Sequence, residues 1–380
     1  MKHSTWASLA LAVSATLAVA GCGSSSSPAS TSSSSAPASS ASSATTAPAT
    51  SSFLACMVTD TGGIDDRSFN ASSLAGLNAA KAANPNIQVK FLQSATQSDY
   101  TLNINTFLGQ HCGIIVTVGF LMGAATEAAA KANPTQKFAI VDCSYASQCL
   151  PAPQESNIDQ LVFNTVQDGF LGGYLAAGLT KTGKVATFGG EDFGTVTIYM
   201  DGFWDGVQYY NSKHHTSVQV LGWNETTQKG SFTGDFTNQT KGQTLTQTFI
   251  SEGADIIFPV AGNVGLGAAK AVQQADAAGG HVNMFWVDVD GCVSAATYCP
   301  YFITSVEKGI VAAVKTAVLA AAGGTFQGGT YVGTLANGGA VLAPYHDFAS
   351  KIPAALQAEL NTVMAGIESG SISTPTKSPV

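Results

Sequence analysis

The sequence predicts an α/β protein made of two similar lobes. From Phe53 onward, short apolar runs alternate with helical stretches, a pattern typical of a parallel sheet with helices on both faces. Runs such as 113–118 and 255–260 are apolar on both faces, as strands buried inside such a sheet are. The candidate strands are too many for one comfortable sheet, and the two halves of the chain repeat the same motifs. These observations together favour two lobes.

The elements follow one another in a regular order. The predicted strands span residues 54–58, 87–92, 113–118, 138–142, 184–188, 217–221, 255–260, 282–288, 301–304 and 330–333. The predicted helices span residues 68–83, 99–109, 122–132, 165–181, 195–211, 239–252, 265–278, 305–322 and 350–368. Strands and helices therefore alternate along the chain from Phe53.

The internal repeat places a cleft between the lobes. In each half a strand ends in a glycine turn, at Gly119 and at Gly262, and the next strand ends in an aspartate, Asp142 and Asp288. We expect two Rossmann-like lobes whose strand ends face each other across a ligand site. Lobe 1 would comprise about 53–165 plus C-terminal segments from about 305, and lobe 2 about 180–300, within a bilobal domain of residues 53–380.

Composition narrows the function. A chain of 380 residues is too long to fold around one ordinary hydrophobic core. Because 45% of its residues are hydrophobic and only 11% are charged, the composition excludes a chain that is disordered throughout. There are 24 acidic and 16 basic residues, for a net charge of −8. Because nucleic-acid binding needs a basic surface, we expect no nucleic-acid partner.

The N-terminus has the pattern of an export signal. Lys2 precedes an apolar stretch that is too short to span a bilayer. That stretch ends in small residues before Cys22, which resembles a bacterial lipobox. We predict a signal peptide over residues 1–21, lipid on Cys22, and a disordered Ser/Ala-rich tether over residues 22–52. The alternative is an ordinary export signal with an incidental cysteine.

The remaining six cysteines favour disulfides over metal. They form an even set in an exported chain, and neither Cys-x-x-Cys nor nearby histidines occur. Two pairs each close a short loop after a strand, and the third pair lies near two strands and could bridge neighbours. These pairs are Cys143 with Cys149, Cys292 with Cys299, and Cys56 with Cys112. We therefore expect no metal site.

The stretch 56–70 suits a planar ligand. It has a strand, a glycine turn and a helix start, and it presents Phe69 beside Asn70. An aromatic ring can stack on a planar ligand while an amide binds its edge. The alternative is that Phe69 is an ordinary core residue and that Asp65 and Asp66 cap the helix.

Catalytic motifs are weak in this sequence. Asp288 and Asp290 resemble the first motif of haloacid-dehalogenase-type phosphatases, but the only later acids, Asp347, Glu359 and Glu368, are isolated. A phosphatase using Asp288 therefore stays a minor alternative. The sequence favours binding over catalysis, and we expect neither enzymatic activity nor a cofactor.

Several ordered motifs resemble the basic membrane protein family of bacterial lipoproteins, the purine-nucleoside receptors of ABC importers. The resemblance covers residues from about Phe53 to Phe348. Its motifs are Gly63–Asn70, Phe138–Asp142, Gly169–Ala177, Gly202–Gly206, Gly234–Asn238, Val260–Gly267, the strand ending in Asp288, and Thr304–Lys308. Each motif alone is weak, whereas their order and spacing together are fairly specific.

The resemblance implies a type I periplasmic-binding-protein fold and a set of site residues. The base would lie between Phe69 and Phe236, and Asn70 with Asp142 would bind its edge. The ribose hydroxyls would be held by Gly262, Asp288 and Lys308. Three alternatives stay open: Phe232 lies near Phe236, Asp142 could cap a turn, and Lys308 could be a solvated residue in the first turn of a helix.

The resemblance also implies a cellular role. We expect a monomeric, lipid-anchored lipoprotein facing the periplasm or the extracellular side. It would capture a nucleoside, with a purine expected, and deliver it to an ABC permease. The alternatives are a binding protein for a sugar or another small metabolite, a signalling lipoprotein without transport, and the phosphatase.

Overall fold

The computed structural model describes residues 52–147, 149 and 155–378. The predicted signal peptide, Cys22 and nearly all of the tether lie outside the described residues. Within the described ranges, no helix is both long enough and apolar enough to cross a membrane.

The strands and helices alternate as the sequence predicts. The strands are β1 (Phe53–Thr59), β2 (Ile87–Leu92), β3 (Ile114–Val118), β4 (Phe138–Val141), β5 (Ile158–Phe163), β6 (Lys184–Gly189), β7 (Gln219–Leu221), β8 (Trp223–Asn224), β9 (Lys229–Gly230), β10 (Ile256–Val260), β11 (Asn283–Asp288), β12 (Phe302–Lys308), β13 (Gly329–Gly333) and β14 (Ala340–Leu342). The helices are α1 (Phe69–Ala83), α2 (Asp99–Gly109), α3 (Gly123–Ala132), α4 (Val166–Leu179), α5 (Gly194–His214), α6 (Gln239–Ser251), α7 (Val264–Ala277), α8 (Gly291–Ser294), α9 (Ile310–Ala322) and α10 (Ala354–Glu368).

All of these strands except β8 and β9 form two six-stranded sheets, one in each lobe, and β8 and β9 pair with each other as a short antiparallel sheet. The first sheet has the order β13-β5-β4-β3-β1-β2, and every neighbouring pair is parallel. The second sheet has the order β14-β12-β11-β10-β6-β7 and is parallel except for the β12–β14 pair. Both sheets therefore direct the carboxyl ends of their parallel strands toward one edge, as the α/β prediction requires.

Helices cover the central strands on both faces, which explains why those strands are apolar throughout. On one face of the first sheet, Leu77 of α1 and Val314 of α9 join the core, and on the other face Ile104 and Phe107 of α2 do so. Every residue of β3 and of β10 is buried. Burial on both faces selects unbroken apolar runs.

Helices α4 and α5 pack against each other at backbone distance. A Cβ on Gly173 would lie 2.0 Å from the carbonyl oxygen of Phe203, and one on Gly206 would lie 2.0 Å from that of Phe170. The glycines of the 169–177 and 202–206 motifs therefore serve close helix packing in lobe 2.

Three crossovers connect the lobes, and backbone hydrogen bonds tie them together. The chain passes from β5 to α4, from β12 to α9, and from β13 to β14. The amide of Asn164 donates to the carbonyl of Gly333 at 2.7 Å, and that of Gly309 donates to Gly339 at 2.9 Å. These crossovers form one hinge beside the cleft.

Several elements differ from the sequence-based expectation. Strands β5, β8, β9 and β14 and the short helix α8 were not predicted. The predicted helix 305–322 is instead β12, which extends to Lys308, followed by α9 from Ile310. Residues 305–307 pair with β11, and β14 pairs with residues 306–308 from the other side. This pairing with distant segments outweighs the local helical pattern.

The segments after residue 305 also divide between the lobes instead of all returning to lobe 1. Helix α9 packs in the lobe 1 core, and β13 joins the first sheet. Strands β12 and β14 belong to the second sheet, and Leu356, Leu360 and Val363 of α10 pack in the lobe 2 core. The physical reason is that the third crossover brings the chain back to lobe 2.

The predicted disulfides are confirmed. Cys56 pairs with Cys112, Cys143 with Cys149, and Cys292 with Cys299, with Cα–Cα distances of 6.0, 5.0 and 4.5 Å. The first bond joins β1 to the segment before β3. The other two close short loops directly after β4 and after β11, beside the inter-lobe cleft.

Candidate ligand-binding cleft

A cleft lies between the strand ends of the two sheets. It encloses about 620 Å³ that no protein atom occupies, including solvent at its open side. All seven residues predicted for the site line it, namely Phe69, Asn70, Asp142, Phe236, Gly262, Asp288 and Lys308. The fold therefore brings together residues from distant parts of the sequence, from Phe69 near its start to Lys308 near its end.

The β1–α1 loop positions Phe69 and Asn70. The Asp66 carboxylate accepts backbone hydrogen bonds from Ser68 at 3.1 Å, Asn70 at 2.7 Å and Ala71 at 3.0 Å. This carboxylate satisfies free N–H groups at the start of α1, as a capping residue does. The capping interpretation is thus right for Asp66, while Phe69 lines the cleft.

The amide of Asn70 is held in one orientation. Its Nδ2 donates to Asp60 at 2.9 Å and to Asp66 at 3.2 Å. Its Oδ1 is buried and has no hydrogen-bond partner among the described residues. Because both acceptors are carboxylates, the amide nitrogen must face them, and the unused group of Asn70 is an acceptor.

A buried ion-pair cluster lies at the centre of the cleft. Lys308 Nζ pairs with the Asp142 carboxylate and lies 3.9 Å from Asp288 Oδ1. The ammonium also lies 5.3 Å from the ring centre of Phe69 and 5.1 Å from that of Tyr199. Since Lys308 ends a strand and its side chain is only 4% exposed, the alternative of a solvated helix residue is wrong.

Asp288 accepts two further hydrogen bonds. Ser68 Oγ donates to it at 2.6 Å, and the Tyr199 hydroxyl donates at 3.1 Å. Ser68 belongs to lobe 1, whereas Asp288 and Tyr199 belong to lobe 2. The carboxylate is therefore fixed by groups from both sides of the cleft.

Asp142 and Asp288 share an unusual backbone conformation. Their φ angles are 61° and 68°, in the left-handed region that non-glycine residues rarely adopt. Asp142 directly follows β4, and Asp288 is the last residue of β11, the equivalent strand of lobe 2. Such strain is often found at ligand sites, where the surrounding structure maintains it.

The cleft is acidic. Burial raises the pKa of Asp142 to about 6, although its pairing with Lys308 opposes that rise. Burial also raises the pKa of Asp66 to about 7, and it raises the pKa of Asp60 against hydrogen bonds from Asn70 and Gly62. Four aspartates, with Asp288 the fourth, line the cleft beside Lys308. An anionic ligand is therefore disfavoured.

Phe236 and Phe232 have different environments. Phe236 lines the cleft. Phe232 packs against Trp223 in the lobe 2 core, with ring centres 6.0 Å apart and nearly perpendicular planes. Of the two rings that the sequence left open, Phe236 is the one that a ligand can contact. Gly262, with φ of 52°, lies beside it at the start of the turn into α7.

Sequence reasoning missed several cleft residues. They are Asp60, Phe120, Phe193, Tyr199 and, as a lining residue, Asp66. Phe120 and Phe193 both come shortly after a predicted strand end, so position alone could have found them. Tyr199 lies inside α5, and its direction depends on where that helix starts, which the sequence does not reveal.

Polar contacts across the cleft hold the lobes together. Arg67 Nη1 donates to the Ser294 carbonyl at 3.0 Å, and Trp286 Nε1 donates to the Arg67 carbonyl at 3.3 Å. Ser68 Oγ also lies 3.2 Å from the Val287 carbonyl. The structure is thus a closed form in which the β1–α1 loop reaches lobe 2.

The phosphatase motif does not form a joint site. Asp288 lines the cleft, but Asp290 caps α8 through the Cys292 amide at 2.9 Å and pairs with His346 at 2.6 Å. Asp290, Cys292 and His346 also lie close together. Because the Cys292 sulfur is in a disulfide, it offers no thiolate to a metal.

Comparison with protein families identifies the chain. The model of the ABC transporter substrate-binding protein PnrA-like family matches residues 53–343. The chain belongs to this family. Members of the PnrA-like family bind the solute of an ABC transporter, so the phosphatase alternative is not favoured, and the expected α/β fold with two lobes is confirmed.

Relatives agree with this assignment. The chain is 32% identical over 297 residues to the CD4+ T-cell-stimulating antigen of Listeria monocytogenes, covering 75% of this chain and 78% of the relative. It is 30% identical over 237 residues to the ABC transporter nucleoside-binding protein BmpA of Lactococcus lactis, covering 61% and 62%.

Solved structures share the fold. A solute-binding protein of an ABC transporter system from Aeropyrum pernix matches with a TM-score of 0.75 and 24% identity, over 85% of this chain and 94% of that one. A solute-binding protein from Bacillus halodurans with bound myo-inositol matches with a TM-score of 0.55 and 13% identity, over 80% and 99%. At these identities the likeness concerns the fold alone.

Proposed function

We propose that this PnrA-like protein captures a nucleoside, with a purine base preferred, and delivers it to an ABC permease. The observation that carries the proposal is the pair of rings, Phe69 from lobe 1 and Phe236 from lobe 2, in one acidic cleft with the Lys308 cluster. Two rings from opposite lobes can both stack on a planar base only when the lobes close. The printed name of the Lactococcus relative, a nucleoside-binding protein, supports the same ligand class.

Each group in the cleft has a role in this proposal. The base lies between the rings, and Asn70 Oδ1 and the Asp142 carboxylate accept hydrogen bonds from its N–H groups. Asp288 and Lys308 bind the vicinal hydroxyls of the ribose, as an acceptor and a donor respectively. Gly262, where a side chain would narrow the cleft, lets the backbone approach the sugar. Binding is thereby coupled to closure of the lobes.

The acidic lining favours uncharged nucleosides over nucleotides. Moving a phosphate into a buried site with four aspartates and one lysine combines desolvation with repulsion between like charges. We therefore expect the protein to bind nucleosides and to reject their monophosphates.

The location follows from the N-terminal pattern. We infer that residues 1–21 are a lipoprotein signal peptide, that Cys22 carries lipid, and that residues 22–52 tether the monomeric bilobal domain to the outer side of the cell membrane. A lipid-anchored receptor stays near its permease, which raises the effective concentration of the loaded form there.

A thermal-shift panel tests the ligand class. The chain without residues 1–22 is unfolded and refolded to remove bound ligand, then mixed with purine and pyrimidine nucleosides, their monophosphates, free bases, ribose and inositol. A ligand that binds only the folded state raises the melting temperature with concentration. We expect shifts with nucleosides and none with monophosphates. A shift with sugars alone would contradict the stacking of a base between Phe69 and Phe236. In a separate assay, magnesium-dependent release of phosphate from the monophosphates would support the phosphatase alternative.

A further inference from the structure

A second aromatic pair crosses the cleft beside the proposed base site. Phe120 follows β3 in lobe 1, and Phe193 precedes α5 in lobe 2. Their ring centres lie 4.8 Å apart and their planes are inclined by 20°, which is a stacked arrangement. Both rings line the cleft and both are half-buried. The pair is thus a direct contact between the lobes at a partly solvent-exposed wall of the cleft.

This contact lies away from the hinge. In the second sheet β6, which leads to Phe193, is separated from the hinge strand β12 by β11 and β10, and in the first sheet β3 is separated from β5 by β4. With strands about 4.8 Å apart, the rings are about 10–15 Å from the crossovers. A rotation about the hinge therefore separates these rings farther than it separates groups close to Lys308.

The Cys143–Cys149 loop supports Phe120 from behind. Cys149 Sγ lies 3.3 Å from the Phe120 carbonyl oxygen, and a Cβ on Gly123 would lie 2.2 Å from that sulfur. The hydroxyl of buried Tyr145, from the same loop, donates to the Gly123 carbonyl at 2.9 Å. The disulfide loop thus packs directly on the turn that carries Phe120 and fixes its place.

Phe193 in turn adjoins the proposed base site. Its ring centre lies 6.4 Å from that of Phe236, with planes inclined by 32°. Opening of the Phe120–Phe193 pair therefore uncovers the side of the cleft next to Phe236.

We propose that Phe120 and Phe193 form an aromatic gate, positioned by the Cys143–Cys149 disulfide loop, that sets how fast the bound ligand leaves. The gate stacks only in the closed form, so it stabilises that form relative to the open one. The ligand dissociates when the lobes open, and affinity changes of this kind are expressed mainly in the dissociation rate. The ligand-release part of this inference rests on the proposed function, whereas the gate contact itself does not.

Single and double variants test the gate kinetically. Dissociation of guanosine and of adenosine is measured by stopped flow for Phe120→Ala, Phe193→Ala and the double variant. We expect each single variant to release the nucleoside roughly three- to tenfold faster, the range that an aromatic pair supports. The double variant should be little faster than either single one, because the two rings act through one contact. Independent, multiplicative effects in folded variants would overturn the gate.

Cysteine variants test the role of the disulfide loop. Cys143→Ser/Cys149→Ser should release the nucleosides faster, and this effect should vanish when Phe120→Ala is already present. The matched control is Cys56→Ser/Cys112→Ser, which removes a disulfide of the same lobe in its core and should leave the release rate unchanged below its melting temperature. Equal acceleration by both cysteine pairs would contradict a specific role for the 143–149 loop.

A measurement without ligand separates this inference from the proposed function. Small-angle X-ray scattering on the ligand-free chain should give a larger radius of gyration for Phe193→Ala than for the wild type, since the closed form loses a contact. Circular dichroism verifies that the variant is folded. If wild type binds neither nucleoside, the proposed function fails while the scattering result still decides the gate. An unchanged radius of gyration in the folded variant would overturn the gate.

Discussion

Individual residues of the cleft combine buried charge with backbone strain. Asp142 and Asp288 occupy equivalent strand ends, both in the left-handed region, and Lys308 lies between them. Each is nearly inaccessible to water, so each charge depends on the others. A cluster of this kind is poised to exchange part of its internal pairing for hydrogen bonds to a ligand, which is how we interpret its role.

The Phe69 ring gives a direct test at this scale. Phe69→Ala removes one face of the proposed base sandwich and should weaken nucleoside binding about 10- to 100-fold, from stacking worth about 1–3 kcal/mol per base. Isothermal titration calorimetry measures the change. Phe91→Ala is the matched control, because Phe91 lies on β2 outside the cleft and is 39% exposed. An unchanged affinity in folded Phe69→Ala would remove this ring from the site.

Asp142 predicts how binding depends on pH. Its pKa is raised to about 6 by burial, with Lys308 lowering it and Asp288 and Asp60 raising it. A base N–H group binds the ionised carboxylate, so protons compete with the ligand below that pKa. We expect constant affinity above about pH 7 and a loss approaching tenfold per pH unit below about pH 6. The Asp142→Asn variant should bind more weakly at pH 7 and lose this pH dependence; a profile unchanged in the variant would assign it to another group, such as Asp66.

At the scale of single elements, helices α4 and α5 and the two short disulfide loops are determined by their packing partners. Helices α4 and α5 meet at glycines, and the 169–177 and 202–206 motifs thereby hold the lobe 2 core together. In contrast, the short loops closed by disulfides after β4 and β11 lie beside the ligand cleft. Glycine motifs thus serve helix packing inside lobe 2, whereas these two cysteine pairs shape the rim of the cleft.

The α4–α5 contact predicts an unusual response to alanine. Inside an exposed helix, Gly→Ala usually stabilises by about 1 kcal/mol. Gly173→Ala should instead destabilise the fold by about 1–3 kcal/mol, because the new Cβ meets the Phe203 carbonyl at 2.0 Å and must push the helices apart. Urea denaturation measures the change. Gly109→Ala, at the exposed end of α2 with open space around it, is the control and should be neutral or stabilising.

At the scale of the whole molecule, the part of the chain that the structure describes has one hinge and three disulfides. The three crossovers lie together, so the lobes can rotate as bodies while their sheets stay intact. The disulfides all lie within a lobe and none joins the two lobes among the described residues. Covalent bonds therefore stabilise each lobe without restricting the motion that ligand binding requires.

The longest disulfide loop makes a prediction about global stability. Cys56 and Cys112 are 56 positions apart, and in the chain-entropy model closing such a loop stabilises the fold by about 4 kcal/mol. Cys56→Ser/Cys112→Ser should lower the unfolding free energy by about that amount, whereas the variant lacking the Cys292–Cys299 bond, with a separation of 7, should lose only about 2 kcal/mol. Equal losses in chemical denaturation would show that loop length does not control the effect.

Sequence alone predicted the fold class, the six cysteines that form disulfides and the order of the motifs. It could do so because buried parallel strands require continuous apolar runs, and because strand ends carry the polar residues of an α/β cleft. The seven residues that the family resemblance implies for the site all line the cleft, and four of them, Asp142, Gly262, Asp288 and Lys308, lie at or just after a strand end. Export signal, lipid anchor and ligand class stay predictions.

Tertiary structure decided the features that depend on pairing between distant segments. Strand β5 and the extension of β12 to Lys308 form only because neighbouring strands offer them backbone partners, which no local pattern encodes. The choice of Phe236 over Phe232, the inward direction of Tyr199 and the Phe120–Phe193 stack depend on how two lobes are set against each other. Contacts between lobes arise from the hinge geometry, and that geometry exists only once three separate crossovers have come together.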